Sequence, residues 1–339
     1  MIEIRNPRMK YLQFRNFGIF AHIDAGKTTL TERILFQEKV ISSFGDIESG
    51  TTETDFLDDE ISRGISIQSA VVQFEKTIYG RTIKLNLIDT PGHLDFDEQV
   101  DEALSVIDLA VLVVDVRSQI QTQTEYLWKR LFEKKIPVIL FLNKLDSYLP
   151  DLRKIILNLN KKFRASFFPA YFLKKNDPQK IESILRAEKN EEEILIPFIE
   201  WSEELSARYL KFPNEIRSIA LEGLKTGFHK RFFFPVLAGS AKTGIGVNDL
   251  IELVTFVETD LISPEVNESN SSAYIFKKQI HPQHGKIYYL KALCDIQKNS
   301  DMYYFDMKIQ FDNLYFCKSL SLNETLFVSR GDLFVAKVS

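Results

Sequence analysis

The run from Ala21 to Thr28 has residue types and spacing that can hold a polyphosphate. It reads Ala-His-Ile-Asp-Ala-Gly-Lys-Thr, with Ala21 in the place of the first glycine of the pattern and four free residues before Gly-Lys-Thr. Backbone N–H groups of such a loop, and the positive end of the following helix, face the phosphates. Lys27 would neutralise the β and γ phosphates, and the Thr28 hydroxyl would bind Mg²⁺. Apolar residues before the loop predict a strand and residues 30–36 predict a helix, although a chance Gly-Lys-Thr in a surface loop is the alternative.

A second candidate residue, Asp89, stands at the end of an apolar run over residues 84–88 that predicts a strand. An aspartate at a strand end beside a phosphate loop can hold a water molecule on Mg²⁺. Three residues later, Gly92 leaves its backbone N–H free to bond a γ-phosphate, with no side chain in the way. The alternative is an ordinary strand-to-turn Asp-Thr-Pro-Gly, which is common in α/β proteins.

The run Asn143-Lys144-Leu145-Asp146 follows the unbroken apolar strand over residues 138–142 and has the groups that recognise guanine. The carboxylate of Asp146 can accept the hydrogens on N1 and N2 of guanine, and adenine presents no such pair of donors. Asn143 would bond the edge of the base and hold neighbouring loops, while the stem of Lys144 can lie against the plane of the base. A polar turn at a strand end is the alternative.

Two further segments complete the candidate site. Ser240, Ala241 and Lys242 follow another apolar strand, and in GTP-binding folds this short loop offers backbone N–H groups to the guanine carbonyl. The segment 63–67, Arg-Gly-Ile-Ser-Ile, lies between the phosphate loop and Asp89, where a GTPase carries its first switch. In it Ser66 is the candidate second hydroxyl ligand of Mg²⁺, and an ordinary strand start is the alternative.

These segments, in this order, resemble the translational GTPases. The loop over residues 22–29, the switch over 63–67 and the Pro-Gly-His that ends at His93 are typical of that class when they occur together. Residues 50–55, followed by Arg-Gly-Ile, look most like the ribosomal protection proteins of tetracycline resistance, which are relatives of elongation factor G. Ser66 departs from the pattern, since most of the class has threonine there. A serine at this position resembles release factor three, and it keeps the hydroxyl while losing a methyl group.

The resemblance implies an enzyme that binds GTP and GDP and hydrolyses GTP slowly alone and faster on the ribosome. It implies that Mg²⁺ is held by Thr28 and Ser66, with Asp89 acting through water. It also implies that His93 orients the attacking water, with Gly92 and Lys27 at the phosphates; an exposed surface histidine is the alternative. Asp24 would hold a monovalent cation or loop amides, or would merely cap the loop. The implied nucleotide-binding residues are Asp24, Ala25, Gly26, Lys27, Thr28, Thr29, Asn143, Lys144, Asp146, Ser240, Ala241 and Lys242.

Two functions therefore stay open. The first is a ribosome-dependent GTPase, and the second is a GTP-dependent module that docks on a ribosome or a factor with little turnover, as a truncated relative of elongation factor G or release factor three. Relatives of elongation factor G have three further domains beyond the two expected here. The sequence by itself therefore assigns neither translocation nor release of tetracycline.

Composition limits the class of protein further. The chain has 339 residues, of which 45% are hydrophobic, which is enough for a large core and more than one domain. Two cysteines indicate a reducing compartment, and we expect both Cys294 and Cys317 to be buried thiols. No signal peptide and no apolar run of about eighteen residues is present, which predicts a cytoplasmic protein with no membrane partner. The net charge of −4 gives no overall attraction to nucleic acid, so ribosome binding would depend on local patches; we expect no DNA partner and a monomer.

Alternating strand and helix patterns predict the fold class. Residues 1–262 are predicted to form an α/β P-loop GTPase domain, with a mostly parallel sheet, helices on both faces and a helical insert over about 151–231. Within the insert, Asp177 is predicted to cap a helix over 177–189. A polar linker then leads to a small antiparallel β-barrel over 268–339 that resembles the second domain of elongation factors. His281-Pro-Gln-His284 predicts a hairpin turn, with a metal pair as the alternative.

Overall fold

A computed structural model of the chain shows an α/β domain followed by a series of shorter β-strands. It contains a phosphate-loop region, an insert between two parallel strands and a second, smaller β region. The residues that the structure describes are 13–45, 70–78, 80–90, 97–118, 120–147, 150–174, 177–187, 191–257, 273–281, 284–298, 302–304, 307–309, 311–318 and 321–338.

The strands within these ranges are numbered in chain order. They are β1 (Gln13–Ala21), β2 (Ala70–Ile78), β3 (Arg81–Asp89), β4 (Leu109–Asp115), β5 (Val138–Asn143), β6 (Phe167–Pro169), β7 (Tyr171–Lys174), β8 (Asp177–Ser183), β9 (Phe234–Ala238), β10 (Ala273–His281), β11 (Gly285–Ala292), β12 (Ile296–Gln297), β13 (Met302–Tyr304), β14 (Met307–Ile309), β15 (Phe311–Lys318), β16 (Ser321–Thr325), β17 (Phe327–Val328) and β18 (Leu333–Val338).

The helices are numbered in the same way. They are α1 (Lys27–Gln37), α2 (Asp97–Leu104), α3 (Thr122–Glu133), α4 (Leu152–Phe163), α5 (Glu192–Leu195), α6 (Pro197–Glu200), α7 (Glu203–Lys211), α8 (Ile216–His229) and α9 (Val247–Phe256), with short 3₁₀ turns at Ile184–Arg186 and Pro213–Glu215. No helix among the described residues has both the length and the apolar character needed to cross a membrane.

One large sheet contains most of the strands, in the order β10-β11-β18-β15-β2-β3-β1-β4-β5-β9-β6, with β16 paired to β15. From β3 to β6 all neighbouring strands are parallel, which confirms the predicted mostly parallel sheet. Strand β2 is antiparallel to β3. Because β1, β3, β5 and β9 run in one direction, their carboxyl ends lie at one edge of the sheet, where such folds bind ligands.

Unbroken apolar runs form the centre of this sheet. Every residue of β4 and β5 is buried, as expected for parallel strands that are covered on both faces. Helix α1 contacts β1, and helix α3 contacts both β1 and β4. The helix predicted over 30–36 is present as α1, which begins three residues earlier and ends one residue later. The sheet is therefore a rigid base for the loops at its carboxyl edge.

The helix predicted over 177–189 is wrong. Strand β8 occupies its first half and pairs with β7, with Leu173 opposite Ile181. A 3₁₀ turn follows, and its cap is Ser183, whose Oγ accepts from the Leu185 N–H at 3.2 Å, in place of the predicted Asp177. Pairing with β7 and burial of Ile181 and Leu185 outweigh the local Asp-Pro signal, which favours a helix start.

Apart from strands β6 and β7, the rest of the described insert consists of helices, as predicted, and several of these helices are short. The helical segment over 197–211 is divided into α6 and α7, because Ser202 begins a new helix and its Oγ accepts from the Leu205 N–H at 3.4 Å. Helix α8 packs on α6 at Gly223, where a Cβ atom would lie 1.8 Å from the carbonyl oxygen of Phe198. The insert is therefore a small packed unit.

The second region is antiparallel, as predicted, but its described strands do not close into a barrel. Strand β10 pairs with β11, β11 with β18, and β18 with β15. Strand β15 joins the first domain through a single pairing of Lys318 with Gln73. Among the described pairings, β10 has β11 as its neighbour, and β12–β17 and β13–β14 form separate pairs. The predicted hairpin between His281 and His284 is confirmed by the pairing of β10 with β11. Cys294 follows the end of β11 and is exposed, which corrects the expected buried thiol, and the Cys317 side chain lies outside the described residues.

Buried charges connect the two regions. The Nζ of Lys291 on β11 lies 2.9 Å from Oδ1 of Asp108, which precedes β4, and also donates to the Val106 carbonyl at 2.9 Å. The Lys291 and Asp108 side chains are only 2% and 1% exposed. The second region is thus attached to the first by an ion pair from which water is excluded.

A second buried group of contacts surrounds Asp332, just before β18. Its carboxylate receives Lys84 Nζ at 2.7 Å and Asn86 Nδ2 at 3.0 Å, both from β3. On β2, Gln73 Nε2 donates to the Leu333 carbonyl at 2.6 Å. Burial raises the pKa of Asp332, and the nearby Lys84 opposes that change. These contacts hold the second region against β2 and β3, the strands that lead from and to the segments with the predicted switch residues.

Candidate nucleotide-binding site

The phosphate loop is a tight turn that ends as helix α1 begins. The Ala25 N–H donates to the His22 carbonyl at 3.2 Å, and the Leu30 N–H donates to the Gly26 carbonyl at 2.9 Å. Gly26 has φ +89°, and a Cβ atom there would lie 2.5 Å from Asn143 Nδ2, so the position requires glycine. The helix begins at Lys27, which places its first N–H groups at the loop, with Thr28 and Thr29 in its first turn.

Lys27 and Asp89 form a buried ion pair next to this loop. Lys27 Nζ lies 2.6 Å from Asp89 Oδ1, and the two side chains are 7% and 3% exposed. The Thr90 hydroxyl donates to the Ile19 carbonyl at 2.8 Å and so fixes the end of β3 beside β1. The two predicted phosphate and metal residues therefore neutralise each other at the place where a polyphosphate would lie.

Asn143 connects the phosphate loop to the loop after β9. Its Nδ2 donates to the Ala25 carbonyl at 2.8 Å, and its Oδ1 accepts from the Ala241 N–H at 2.8 Å. The side chain is buried, so both bonds are shielded from water. The predicted role of Asn143 in holding neighbouring loops agrees with these contacts.

Asp146 and Ser240 are in direct contact, although 94 residues separate them. The Ser240 hydroxyl donates to Asp146 Oδ1 at 2.5 Å and accepts from the Thr243 N–H at 3.2 Å. The loop itself is closed by a hydrogen bond of 2.9 Å from the Ser240 N–H to the Ile245 carbonyl. One oxygen of the Asp146 carboxylate is thereby oriented.

Lys144 lies between the phosphate loop and Asp115, at the end of β4. Its Nζ donates to the Asp24 carbonyl and lies 3.1 Å from Asp115 Oδ2. The Arg117 guanidinium also binds this carboxylate, at 2.8 Å from Oδ2. Burial by itself would raise the pKa of Asp115, but the hydrogen bonds from Arg117 and Lys144 together lower it to about 2. The ammonium of Lys144 is thus held by two partners, the Asp24 carbonyl and the Asp115 carboxylate.

The start of helix α3 also contacts the phosphate loop. Gln123 Oε1 accepts from the Ile23 N–H at 3.2 Å, and the Thr124 hydroxyl lies 3.5 Å from His22 Nδ1. Burial is the largest cause that lowers the pKa of His22, which favours the neutral ring. Asp115 and Gln123 were not predicted from the sequence, and His22 was identified only as a member of the loop motif. The one available signal was the position of Asp115 at the end of a buried strand.

The residues present suit a magnesium ion that is bound jointly by protein and phosphate. Thr28 and Asp89 supply a hydroxyl and a carboxylate, the oxygen ligands that Mg²⁺ prefers. Among the described residues no group of three or more histidine, cysteine, aspartate or glutamate side chains could form a cage for a metal. A site of this kind depends on the phosphates of the ligand for its remaining oxygens. Ser66, Gly92 and His93 lie outside the described residues, so their roles stay predictions.

This geometry defines a class of protein. A Gly-Lys-Thr loop after β1, an aspartate at the end of β3, an Asn-Lys-Leu-Asp run that begins at the last residue of β5 and a Ser-Ala-Lys loop after β9 meet at one edge of a parallel sheet. That is the arrangement of a P-loop GTP-binding domain. The model of the family described as "Elongation factor Tu GTP binding domain" matches residues 12–259, and the chain belongs to that family.

Individual relatives are of two kinds. The tetracycline resistance protein TetW of Butyrivibrio fibrisolvens is 36% identical over 240 residues, which cover 71% of this chain and 36% of the relative. The tetracycline resistance protein TetM from transposon Tn5251 of Streptococcus pneumoniae is 33% identical, with 81% and 42% covered. Elongation factor G of Thermotoga maritima is 31% identical, with 86% and 48% covered. The chain therefore spans less than half the length of these three relatives.

A solved structure supports the fold of both regions. The crystal structure of a protein from Thermus thermophilus matches 96% of this chain and 52% of its own chain, with a TM-score of 0.78. The sequence identity is 21%, so the likeness concerns the fold alone.

Proposed function

We propose that this chain binds GTP and GDP, hydrolyses GTP with Mg²⁺ as its cofactor, and acts at the ribosome in the manner of the tetracycline-resistance ribosomal protection proteins. The observation that carries the proposal is the meeting of separate loops around Asn143. This side chain bonds the phosphate loop at Ala25 and the Ser-Ala-Lys loop at Ala241. The loop proposed to bind phosphate and the loop proposed to recognise the base are thus joined through one buried side chain.

The base pocket would select guanine through a carboxylate. Asp146 is oriented by Ser240 and would accept the N1 and N2 hydrogens of the base. Backbone N–H groups of Ala241 and Lys242 would lie near the guanine carbonyl, and the stem of Lys144 would cover one face of the ring. Adenine has no matching pair of donors, so with adenine in the pocket the Asp146 carboxylate would lack both hydrogen bonds from the base.

Hydrolysis would depend on positioning and on neutralised charge. Lys27 would exchange Asp89 for the β and γ phosphates when a nucleotide binds, and Asp89 and the Thr28 hydroxyl would then face the metal. Mg²⁺ would supply charge neutralisation on the phosphate oxygens. In this proposal Ser66 adds a second hydroxyl, Gly92 a backbone N–H, and His93 orients the attacking water.

The catalytic assignment is tested with His93→Ala. We expect GTP affinity within about twofold of wild type, because a water-orienting residue contributes to the transition state and not to binding. Turnover stimulated by 70S ribosomes should be lost, as measured by phosphate release with and without ribosomes. His229→Ala, on the surface of the insert, is the matched control. Stimulated turnover that survives in His93→Ala would contradict the role of His93. Tight GTP binding by wild type without stimulated turnover would favour the GTP-dependent binding module instead.

Base recognition is tested with Asp146→Asn. The amide presents a donor where guanine also donates, so preference should move from GDP to xanthosine diphosphate, with GDP affinity lower by about a hundredfold. Competition with a fluorescent guanine nucleotide measures both affinities. Asp151→Asn is the control, because asparagine caps helix α4 about as well as aspartate does. Unchanged GDP affinity in Asp146→Asn would refute the assigned pocket.

A further inference from the structure

Arg33, on helix α1, connects that helix to the loop after β9. Its Nε donates to the Ala241 carbonyl at 3.0 Å, and a terminal guanidinium nitrogen donates to the Lys242 carbonyl. One turn further along the helix, Gln37 Nε2 approaches the Gly244 carbonyl at 3.4 Å. No sequence motif singles out Arg33, which lies 208 residues before the first carbonyl that it binds.

The guanidinium is also held from its other side. Its central carbon lies 3.6 Å from the centroid of the Phe44 ring, well within the range of a cation–π contact. The planar group can bind two carbonyls and stack on a ring at the same time, which a lysine ammonium cannot do. The Arg33 guanidinium is therefore held in one orientation. A surface arginine that only contributed charge would not need these contacts.

Hydrogen bonds lead from these carbonyls to the candidate base pocket. Each peptide group is planar, so fixing the Lys242 carbonyl also fixes the direction of the Thr243 N–H. That N–H donates to Ser240 Oγ at 3.2 Å, and the Ser240 hydroxyl donates to Asp146 at 2.5 Å. In the same way, the Ala241 carbonyl fixes the Lys242 N–H, which the proposed function places near the guanine carbonyl.

We propose that Arg33 is a positioning residue for guanine recognition. It acts through the Ser-Ala-Lys loop and sets the orientation of the Asp146 carboxylate, without contacting the nucleotide itself. The inference rests on the proposed function, since it deepens the description of the same pocket. It adds helix α1, which already begins at the phosphate loop, as the second support of the base site beside Asn143.

The test compares two ligands that differ only at the base. Inosine diphosphate lacks the 2-amino group that Asp146 would bind, so the ratio of GDP to inosine diphosphate affinity reports how well the carboxylate is oriented. Arg33→Met keeps the aliphatic stem and removes every donor. We expect GDP affinity to fall about tenfold, inosine diphosphate affinity to fall less, and the ratio to shrink. Arg33→Lys should recover part of the ratio, because it can donate to one of the two carbonyls.

Two further variants distinguish positioning from general stability. Arg130→Met removes an arginine on helix α3 that binds Asp101 and lies against Tyr126, and it should leave both affinities unchanged. Phe44→Leu should shift the ratio in the same direction as Arg33→Met but by less, and the double variant should be no worse than Arg33→Met alone. A folded Arg33→Met protein with the wild-type ratio would overturn the role of Arg33 and leave the proposed function intact. Wild-type protein that does not prefer GDP to inosine diphosphate would overturn both.

Discussion

Asp115 lies outside the sequence motifs, yet it sets the direction of the side chain of Lys144, a residue that was recognised from its motif. Lys144 was predicted from the Asn-Lys-Leu-Asp run, but its direction depends on the ion pair with Asp115 at 3.1 Å. Asp115 and Arg33 were not predicted, because the contacts that link them to the site, Lys144 for Asp115 and the Ala241 and Lys242 carbonyls for Arg33, are distant in the chain and neither residue belongs to a motif. The motif residues were predictable because the chemistry of each loop is contained in a few consecutive positions. Their supports are set by the way the strands pack.

The pH dependence of stability should report this ion pair. The pKa of Asp115 is lowered from 3.8 to about 2, so its contribution to stability is complete above pH 3.8 and is lost as the pH falls toward 2. Asp115→Asn should remove that part of the acid dependence and lower the unfolding free energy at pH 7 by about 2 kcal/mol. Urea unfolding between pH 2 and 7 (roughly the range over which carboxylates titrate) measures both effects. An unchanged slope below about pH 4 in the variant would show that other carboxylates produce it.

Among the helices and strands, the local patterns predicted the parallel core well and the insert less well. Strands β4 and β5 are continuous apolar runs that are buried over their whole length, as expected for parallel strands covered on both faces. Residues 177–189 carry a helix-start signal but form β8 and a 3₁₀ turn, because pairing with β7 is a long-range contact. The expected barrel has the right kind of strands, yet strand types do not decide which edges pair. Closure is a property of the assembled sheet.

Gly223 in helix α8 provides a prediction about helix packing. In an exposed helix, alanine is favoured over glycine by about 1 kcal/mol. Here a Cβ would lie 1.8 Å from the Phe198 carbonyl oxygen, a backbone atom that cannot move without displacing α6. We expect Gly223→Ala to destabilise the protein by more than about 2 kcal/mol and to leave GDP affinity unchanged in the folded fraction. Thermal unfolding with Thr226→Ala, on the exposed side of the same helix, is the comparison. A Gly223→Ala protein as stable as wild type would mean that α6 and α8 are not held so closely.

For the whole molecule, the question is what holds the second region against the GTP-binding domain. The Lys291–Asp108 pair is 2% and 1% exposed, and its members come from β11 and the residue before β4. Two ions in this position are costly to bury, but each is far more costly without the other. The pair therefore favours the docking arrangement in which both charges are buried together, since burial of either charge without the other would be far more costly.

A double-mutant cycle tests this account. Lys291→Met leaves the Asp108 carboxylate buried without its cation, and Asp108→Asn leaves the ammonium without its anion, so each change should cost about 3–5 kcal/mol. The double variant keeps an amide that can still accept from the Asn16 N–H, now 3.1 Å from the Asp108 carboxylate, and carries no unpaired charge. It should therefore lose clearly less than the sum of the single changes, by about 2 kcal/mol or more. Calorimetry measures the unfolding free energies and also shows whether the two regions unfold in one transition. Losses that add would show that the two charges are solvated independently, and the docking of the second region would then depend on Asp332 and its partners on β2 and β3.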